Sequence, residues 1–362
     1  MSVSVSVAVI GGGYGGITVA KALDELADVT LVERRDAFVH NVASLRALVD
    51  PGWTDRIFLP YDRLLARGRV RRGRAVRVDG GSVELDSGEI LAPDHTILAT
   101  GSTYPFPAKT DRDDSGAARI RIRAAHKAVA EAEDVLVLGA GPVGLELAGE
   151  ILAAWPEKRV TIVDPADDIL SGAFSGDLRA ELRRQLDGLG VKLLLGTSLE
   201  REPVSAPGEP GPFSVATRSG QTLAADVWFR CYGVAAVADY LAGDLVEARL
   251  PTGEVRVTPE LRIVGHERVF AIGDMVALPE AKLARAAGQQ ARVVAVNVEK
   301  LIRGEQDLVT YTPAPPGISI PLGPRGGASY TQDGGLRDAE TTSKLKGMDL
   351  RMSSYISLFG LE

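Results

Sequence analysis

Along this chain, short apolar runs alternate with stretches whose apolar residues recur at helical spacing. Val3 to Ile10 predicts a strand. Tyr14 to Ala27 predicts a helix with Ile17, Ala20, Leu23 and Leu26 as its buried stripe. Val29 to Val32 predicts a second strand, ending at Glu33. The same order of strand, helix and strand returns at Asp134 to Asp164.

Between the two units, Asn41 to Val49 predicts a helix ended by Pro51-Gly52. Arg69 to Val78 and Ser82 to Leu91 predict a meander around Asp79-Gly80-Gly81, and His95 to Thr100 a strand closed by Gly101. Thr103 to Gly116 reads as a linker, followed by a helix over Arg121 to Ala132. After the second unit come a helix (Asp177 to Gly188), a strand (Val191 to Leu195), a Pro/Gly-rich loop or hairpin tip (Pro203 to Pro212) and a strand (Val227 to Tyr232). Glu254 to Gly273 reads as short strands ending in Val269 to Ile272. Glu280 to Ile302 predicts a long helix with Leu283, Ala287, Ala291, Val294 and Val298 on one face. The five prolines of Pro313 to Pro324 mark a boundary, and the remainder reads as a short meander. The tail from Lys344 to Glu362 carries apolar residues without clean helical spacing and reads as a closing meander or a dimer surface.

The expected organisation is a compact unit inserted into another, which is easy where domain termini lie close together. Residues 1–105 and 233–308 form the outer unit, 106–232 the inserted one, and 309–362 a C-terminal segment suited to an interface or dimerisation.

Composition narrows the function. The 362 residues are 45% hydrophobic and 25% charged, ordinary for a soluble globular chain. A net charge of −7 gives nucleic acid no electrostatic footing. One cysteine, Cys231, excludes an internal dithiol, and a small buried hydrophobe is the plain reading of it. Met1 to Val9 reads as a strand rather than a signal peptide, and Met1-Ser2 lacks the glycine that N-myristoylation needs. Val135 to Trp155 is too polar to span a bilayer, so the expectation is a cytoplasmic enzyme with at most peripheral membrane contact.

The candidate chemistry lies in two glycine loops, Gly11-Gly12-Gly13-Tyr14-Gly15-Gly16 and Gly139-Ala140-Gly141-Pro142-Val143-Gly144. Each follows an apolar strand and opens a helix. The first glycine permits the tight turn, the next lets backbone approach a pyrophosphate, and the last lets the helix pack close to its strand. Phosphate then sits on the helix N-terminus, where free N–H groups and the dipole favour anions. Glu33, about 20 residues on, can accept ribose hydroxyls. Asp164 ends the corresponding second strand; it either binds a 2′-hydroxyl, favouring NADH over NADPH, or begins the turn before Pro165. Glu146 either complements its helix N-terminus or reaches toward a nicotinamide. Gly273-Asp274 points a carboxylate at a sheet edge where ligands bind.

Four stretches carry a resemblance: Val9 to Gly16, Phe38 to Ala47, Ile97 to Thr103 and Val269 to Asp274. The chain resembles the FAD/NAD(P)-dependent pyridine nucleotide-disulfide oxidoreductase superfamily. It is most similar to its ferroptosis-suppressor and apoptosis-inducing-factor-like branch, with type II NADH dehydrogenases more distant. The resemblance implies an α/β fold of two Rossmann-like, glutathione-reductase-like domains, one inserted in the other, plus a short C-terminal α+β segment. It implies FAD on Gly11, Gly13, Gly15, Gly16, Glu33, Arg34, Asn41, Thr100, Gly101, Gly273 and Asp274. It implies NADH or NADPH on Gly139, Gly141, Gly144 and Asp164, with Glu146 near the nicotinamide. His40 and Lys282 are implied beside the flavin as catalytic candidates, against the plainer readings of a hydrogen-bonded structural histidine and a solvated lysine. Relatives with a redox cysteine pair carry it near His40 to Arg46, and this chain has none. The implied activity passes hydride from NAD(P)H through flavin to a small quinone-like acceptor. Two alternatives are a reductase of an iron–sulfur protein docking on the arginine run Arg67 to Arg77, and a flavin–NAD signalling switch. A homodimer is compatible with either.

Overall fold

The computed structural model describes residues 5–172 and 174–361. Val3 and Ser4 of the predicted first strand lie outside the described residues, and the strand runs over Ser6–Ile10. It is the centre of a five-stranded parallel sheet ordered Val269–Ala271, His95–Leu98, Ser6–Ile10, Asp28–Glu33 and Arg69–Arg72. Strand connections leave Ser6–Ile10 in opposite directions, so a crevice opens at the carboxyl ends beside it. Helices Tyr14–Leu23 and Ala284–Ile302 pack together on this sheet, burying Ile17, Ala20, Leu23, Ala291, Val294 and Val298. The first helix stops at Leu23, earlier than its apolar pattern predicts. There the Asp24 carboxylate accepts from the backbone of Ala66, Arg67 and Gly68, and Leu26 is left 41% exposed.

The second unit is a four-stranded parallel sheet ordered Lys192–Leu195, Arg159–Asp164, Asp134–Leu138 and Val227–Arg230. Helix Pro142–Ala154 covers it together with Ser115–Glu131 and Gly176–Gly188. Helix Ser115–Glu131 begins inside the predicted linker because Asp114 caps it, accepting from the Ala117 N–H at 2.8 Å.

Other predicted elements differ as well. Arg69 to Val78 is two strands, since Gly73 turns the chain out of the parallel sheet, its N–H bonding to the Glu33 carbonyl at 2.9 Å. Ala75–Val78 then pairs with Val83–Leu85 in a separate small sheet. The long helix starts at Ala284 rather than Glu280, with Leu283 as its N-cap. The closing segment is a meander only through Arg337, with strands Gly317–Leu322, Gly326–Thr331 and Gly335–Arg337. Asp338 then caps a helical tail: Ala339–Thr342, a π-turn over Ser343–Gly347, and helix Met352–Phe359.

The meander lies on helix Pro142–Ala154, where a side chain at Gly149 would collide with the Leu322 backbone. The last helix instead returns to the first unit. Phe359 is fully buried there, its ring 5.3 Å from that of Phe38 and 6.0 Å from that of Tyr61. The tail is therefore part of the first core. Phe359→Ala is expected to lower unfolding free energy by about 3–5 kcal/mol, read from urea denaturation.

Candidate functional site

The two glycine loops are built alike. Gly11 (φ 103°) and Gly139 (φ 113°) turn the chain in left-handed backbone, and a Cβ on them would lie 2.6 Å from the Ala99 carbonyl and 2.8 Å from the Cys231 carbonyl. Gly16 and Gly144 sit so close to the carbonyls of Gly11 and Gly139 that any side chain would collide with them. Gly13 and Gly141 are the opposite case, with nothing within 4 Å of a Cβ position. Each is the N-cap of its helix and supplies no side-chain cap. The result is a bare helix N-terminus facing an open cradle, which fits a pyrophosphate. Gly15 packs away from the cradle, toward Ile272 and Ala287.

The acids after each second strand brace these loops. Glu33 accepts from the Gly12 N–H at 2.6 Å and from Arg35 at 3.0 Å; Asp164 accepts from Ala140 at 2.7 Å and Ala166 at 2.8 Å. Tyr61, not singled out in the sequence, donates to the Gly12 carbonyl at 2.8 Å from the other side. Arg34 pairs with Asp113 at 3.1 Å.

Thr100, Gly101, Gly273 and Asp274 arrive beside the first loop because His95–Leu98 and Val269–Ala271 neighbour Ser6–Ile10 in the sheet. Thr100 spends its hydroxyl on the Val237 carbonyl at 2.7 Å. Asp274 accepts from the Ser102 hydroxyl at 2.6 Å, and Lys109 stands 3.5 Å from it. Burial pushes the Lys109 ammonium down and the Asp274 charge pulls it back up. Nothing in the linker-like sequence around Lys109 distinguished it. A narrow cleft separates Gly273 and Asp274 from the start of helix Ala284–Ile302, with Glu280, Lys282 and Gln290 on its walls. Lys282 precedes that helix by two residues, bonds the Val276 carbonyl at 2.5 Å and pairs with Glu254 at 2.7 Å.

Asn41 is half-buried at the start of a short 3-10 turn. His40 beside it has no exposed surface. Its Nε2 bonds the Leu350 carbonyl at 2.7 Å, so that nitrogen carries the proton and Nδ1 accepts from the Tyr14 hydroxyl at 3.2 Å. Tyr14 in turn accepts from the Val42 N–H at 2.9 Å. Burial lowers the His40 pKa to about 4, so the imidazole is neutral at physiological pH.

Glu146 is largely withdrawn from solvent, its side chain 12% exposed. It pairs with Lys346 of the tail at 2.6 Å, and Lys346 also bonds the Ser319 carbonyl at 3.3 Å. Burial raises the Glu146 carboxyl above its ordinary range, with Lys346 opposing. One turn further along, Glu150 accepts a bidentate pair from Arg46. Lys346, Leu350 and Tyr355, whose ring lies 4.7 Å from that of His40, are tail residues the sequence did not mark.

The arginine run is partly neutralised. Arg69 pairs with Asp28, Arg71 with Glu89 and Arg74 with Asp113, leaving Arg67, Arg72 and Arg77 without a carboxylate in salt-bridge range among the described residues. Among those residues no helix is long and apolar enough to cross a membrane.

Comparison with known proteins agrees with this architecture. The family described as pyridine nucleotide-disulphide oxidoreductase matches residues 5–291. The human protein named ferroptosis suppressor protein 1 is 33% identical over 85% of this chain and 83% of its own length. Apoptosis-inducing factor homolog B of Dictyostelium discoideum is 27% identical over 97% of this chain and 96% of its own. Among solved structures, the sulfide:quinone oxidoreductase of Aquifex aeolicus superposes with a TM-score of 0.76 at 16% identity, covering 98% of this chain and 91% of that one.

Proposed function

The chain belongs to the pyridine nucleotide-disulphide oxidoreductase family, and from that premise we propose that its first glycine loop holds FAD, its second NAD(P)H, and that its acceptor is a small quinone-like molecule. FAD and NAD(P)H are its cofactors, and it is an NAD(P)H-dependent flavin oxidoreductase. In the bound pair the nicotinamide supplies a hydride and the flavin delivers the electron pair onward.

The observation that carries the reading is the pair of open cradles at Gly13 and Gly141 in a chain whose single cysteine is buried. With no dithiol to relay electrons, the acceptor must come to the flavin itself. The residues then divide the work. The bare helix N-termini bind the pyrophosphates. Glu33 and Asp164 hold the loops and present carboxylate oxygen to the adenosine riboses. Lys109 and Ser102 hold Asp274 at the edge of the first crevice. Glu146 and Lys346 keep an acceptor and a donor where the second loop helix meets the tail. His40 has no surface to offer a ligand, so we assign it the positioning of the tail through Leu350. Lys282 can turn toward the flavin only by leaving Glu254.

An acceptor screen tests this. FAD-loaded protein with NADH is expected to reduce a short-chain quinone faster than an iron–sulfur protein. The reverse order would favour a reductase docking on Arg67, Arg72 and Arg77, and slow turnover with every acceptor would favour a signalling switch. A second expectation concerns the reductant. Asp164 faces a 2′-phosphate as a like charge, so Asp164→Ser should raise the NADPH-to-NADH ratio of kcat/KM by about ten-fold or more. An unchanged ratio would place the ribose elsewhere.

A further inference from the structure

We propose that Arg46 is a positioning residue that fixes Lys346 against Glu146 by tying the tail's π-turn to both halves of the molecule. The proposal rests on the reading of Glu146 as lying near the nicotinamide. Three observations on the chain's own residues lead to it.

Glu146 and Glu150 stand one turn apart on the face of helix Pro142–Ala154, and each takes its cation from a different distant segment. Arg46 comes from helix Ser44–Val49 of the first unit, Lys346 from the tail. Arg46 also uses a third donor. Its Nη2 bonds the Gly347 carbonyl at 2.9 Å, the residue next to Lys346. One guanidinium therefore joins the first unit, the second loop helix and the tail.

The tail is held at the same place from the other side. A Cβ on Gly347 would lie 2.8 Å from the Pro324 carbonyl, which also accepts from the Ser343 hydroxyl at 2.7 Å. The π-turn Ser343–Gly347 is thus gripped between Arg46 and Pro324. Such turns are rare, and sit preferentially at functional sites.

Burial is the third observation. Arg46 and Glu150 are 6% and 3% exposed. A buried ion pair is weak support for stability, because desolvation offsets its attraction, and apolar residues of like size often serve the fold as well. Its geometry is what an apolar pair cannot replace. Only a planar fork can hold a carboxylate with two donors and a carbonyl with the same group.

That difference supplies the experiment. Arg46→Met with Glu150→Met removes both charges while filling the same space. The double variant is expected to melt close to the parent and to keep FAD. Its amides over residues 343–349 should exchange with deuterium faster, and NADH should reduce its flavin roughly ten- to a hundred-fold more slowly. Parental exchange and a parental reduction rate in that variant would overturn the proposal and leave Arg46 a structural residue. Should the double variant not accumulate, Arg46→Lys keeps the charge and loses the fork; it should show the same loosening of 343–349, and parental exchange there would overturn the proposal equally. Lys346→Met separates the two levels. If it reduces flavin at the parental rate, the reading of the pair itself fails. If it is slow while the double variant is fast, only the role of Arg46 falls.

Discussion

Gly16→Ala should give a protein purified without flavin. The added methyl has no room, because it points into the Gly11 carbonyl and lies 3.4 Å from the Ala99 side chain. Gly11 cannot yield. Its N–H is bonded to the Val32 carbonyl at 2.8 Å and its own open side is pressed on the Ala99 backbone. Helix Tyr14–Leu23 must therefore lift, at an overpacking cost of about 1–3 kcal/mol. The larger loss is in binding, since the lifted helix takes its free N–H groups away from the cradle. Losing two charge-assisted bonds, at about 1.5–3 kcal/mol each, weakens FAD roughly a hundred-fold or more. Gly13→Ala separates the causes. Nothing lies near its methyl, so the flavin-free protein should melt like the parent while FAD affinity falls. Gly144→Ala moves the same collision to the second loop, and that variant should stay yellow yet not be bleached by NADH. The flavin-to-protein absorbance ratio of the purified variants checks their FAD content, a melting curve checks Gly13→Ala, and the flavin absorbance after adding NADH checks Gly144→Ala.

Lys346→Met should slow flavin reduction by NADH about a hundred-fold and also destabilise the fold. It strands a carboxyl that is nearly out of solvent, and breaking a buried pair in this way costs up to about 3–5 kcal/mol. The pair's side chains are 19% and 12% exposed, which places the cost below that ceiling. The pH dependence follows from burial. Burial already holds the Glu146 carboxyl above its ordinary range, and only Lys346 pulls it back. Without the ammonium the folded-state pKa rises further above the unfolded one. A group raised in this sense favours folding fully below its unfolded pKa, and loses that contribution as pH climbs through its folded pKa. The variant should thus sit nearest the parent below the unfolded glutamate value of about 4.3, and fall behind as pH climbs above it. Melting curves across that range decide the point. A deficit that shrinks toward high pH would mean Glu146 is not buried with its charge.

The readable parts of this chain are those where local spacing and tertiary role coincide. Gly11, Gly16, Gly139 and Gly144 are needed by the turn and by the close helix packing, and both needs act within a few residues. Glu33 and Asp164 end strands that bring them back to their own loops. The tail was unreadable for a definite reason. The π-turn and two successive left-handed residues, Leu350 (φ 50°) and Arg351 (φ 65°), break the helical period between Leu345 and Phe359. Met348 is 64% exposed while Leu350, Met352 and Phe359 are buried, so no single stripe spans them. Lys346 then meets Glu146, and Leu350 meets His40, across separations that no local pattern encodes. Lys109 and Tyr61 are similar: each gains its role only when sheet neighbours bring Asp274 or Gly12 to it.

The proposed activity depends on two dinucleotides held in one chain with direct transfer between them. The most direct test is an anaerobic titration of FAD-loaded protein with NADH, following the flavin's visible absorbance. One equivalent of NADH per flavin should bleach the band fully, and oxygen-free addition of a quinone should restore it. A flavin that stays oxidised through excess NADH and excess NADPH would contradict the account.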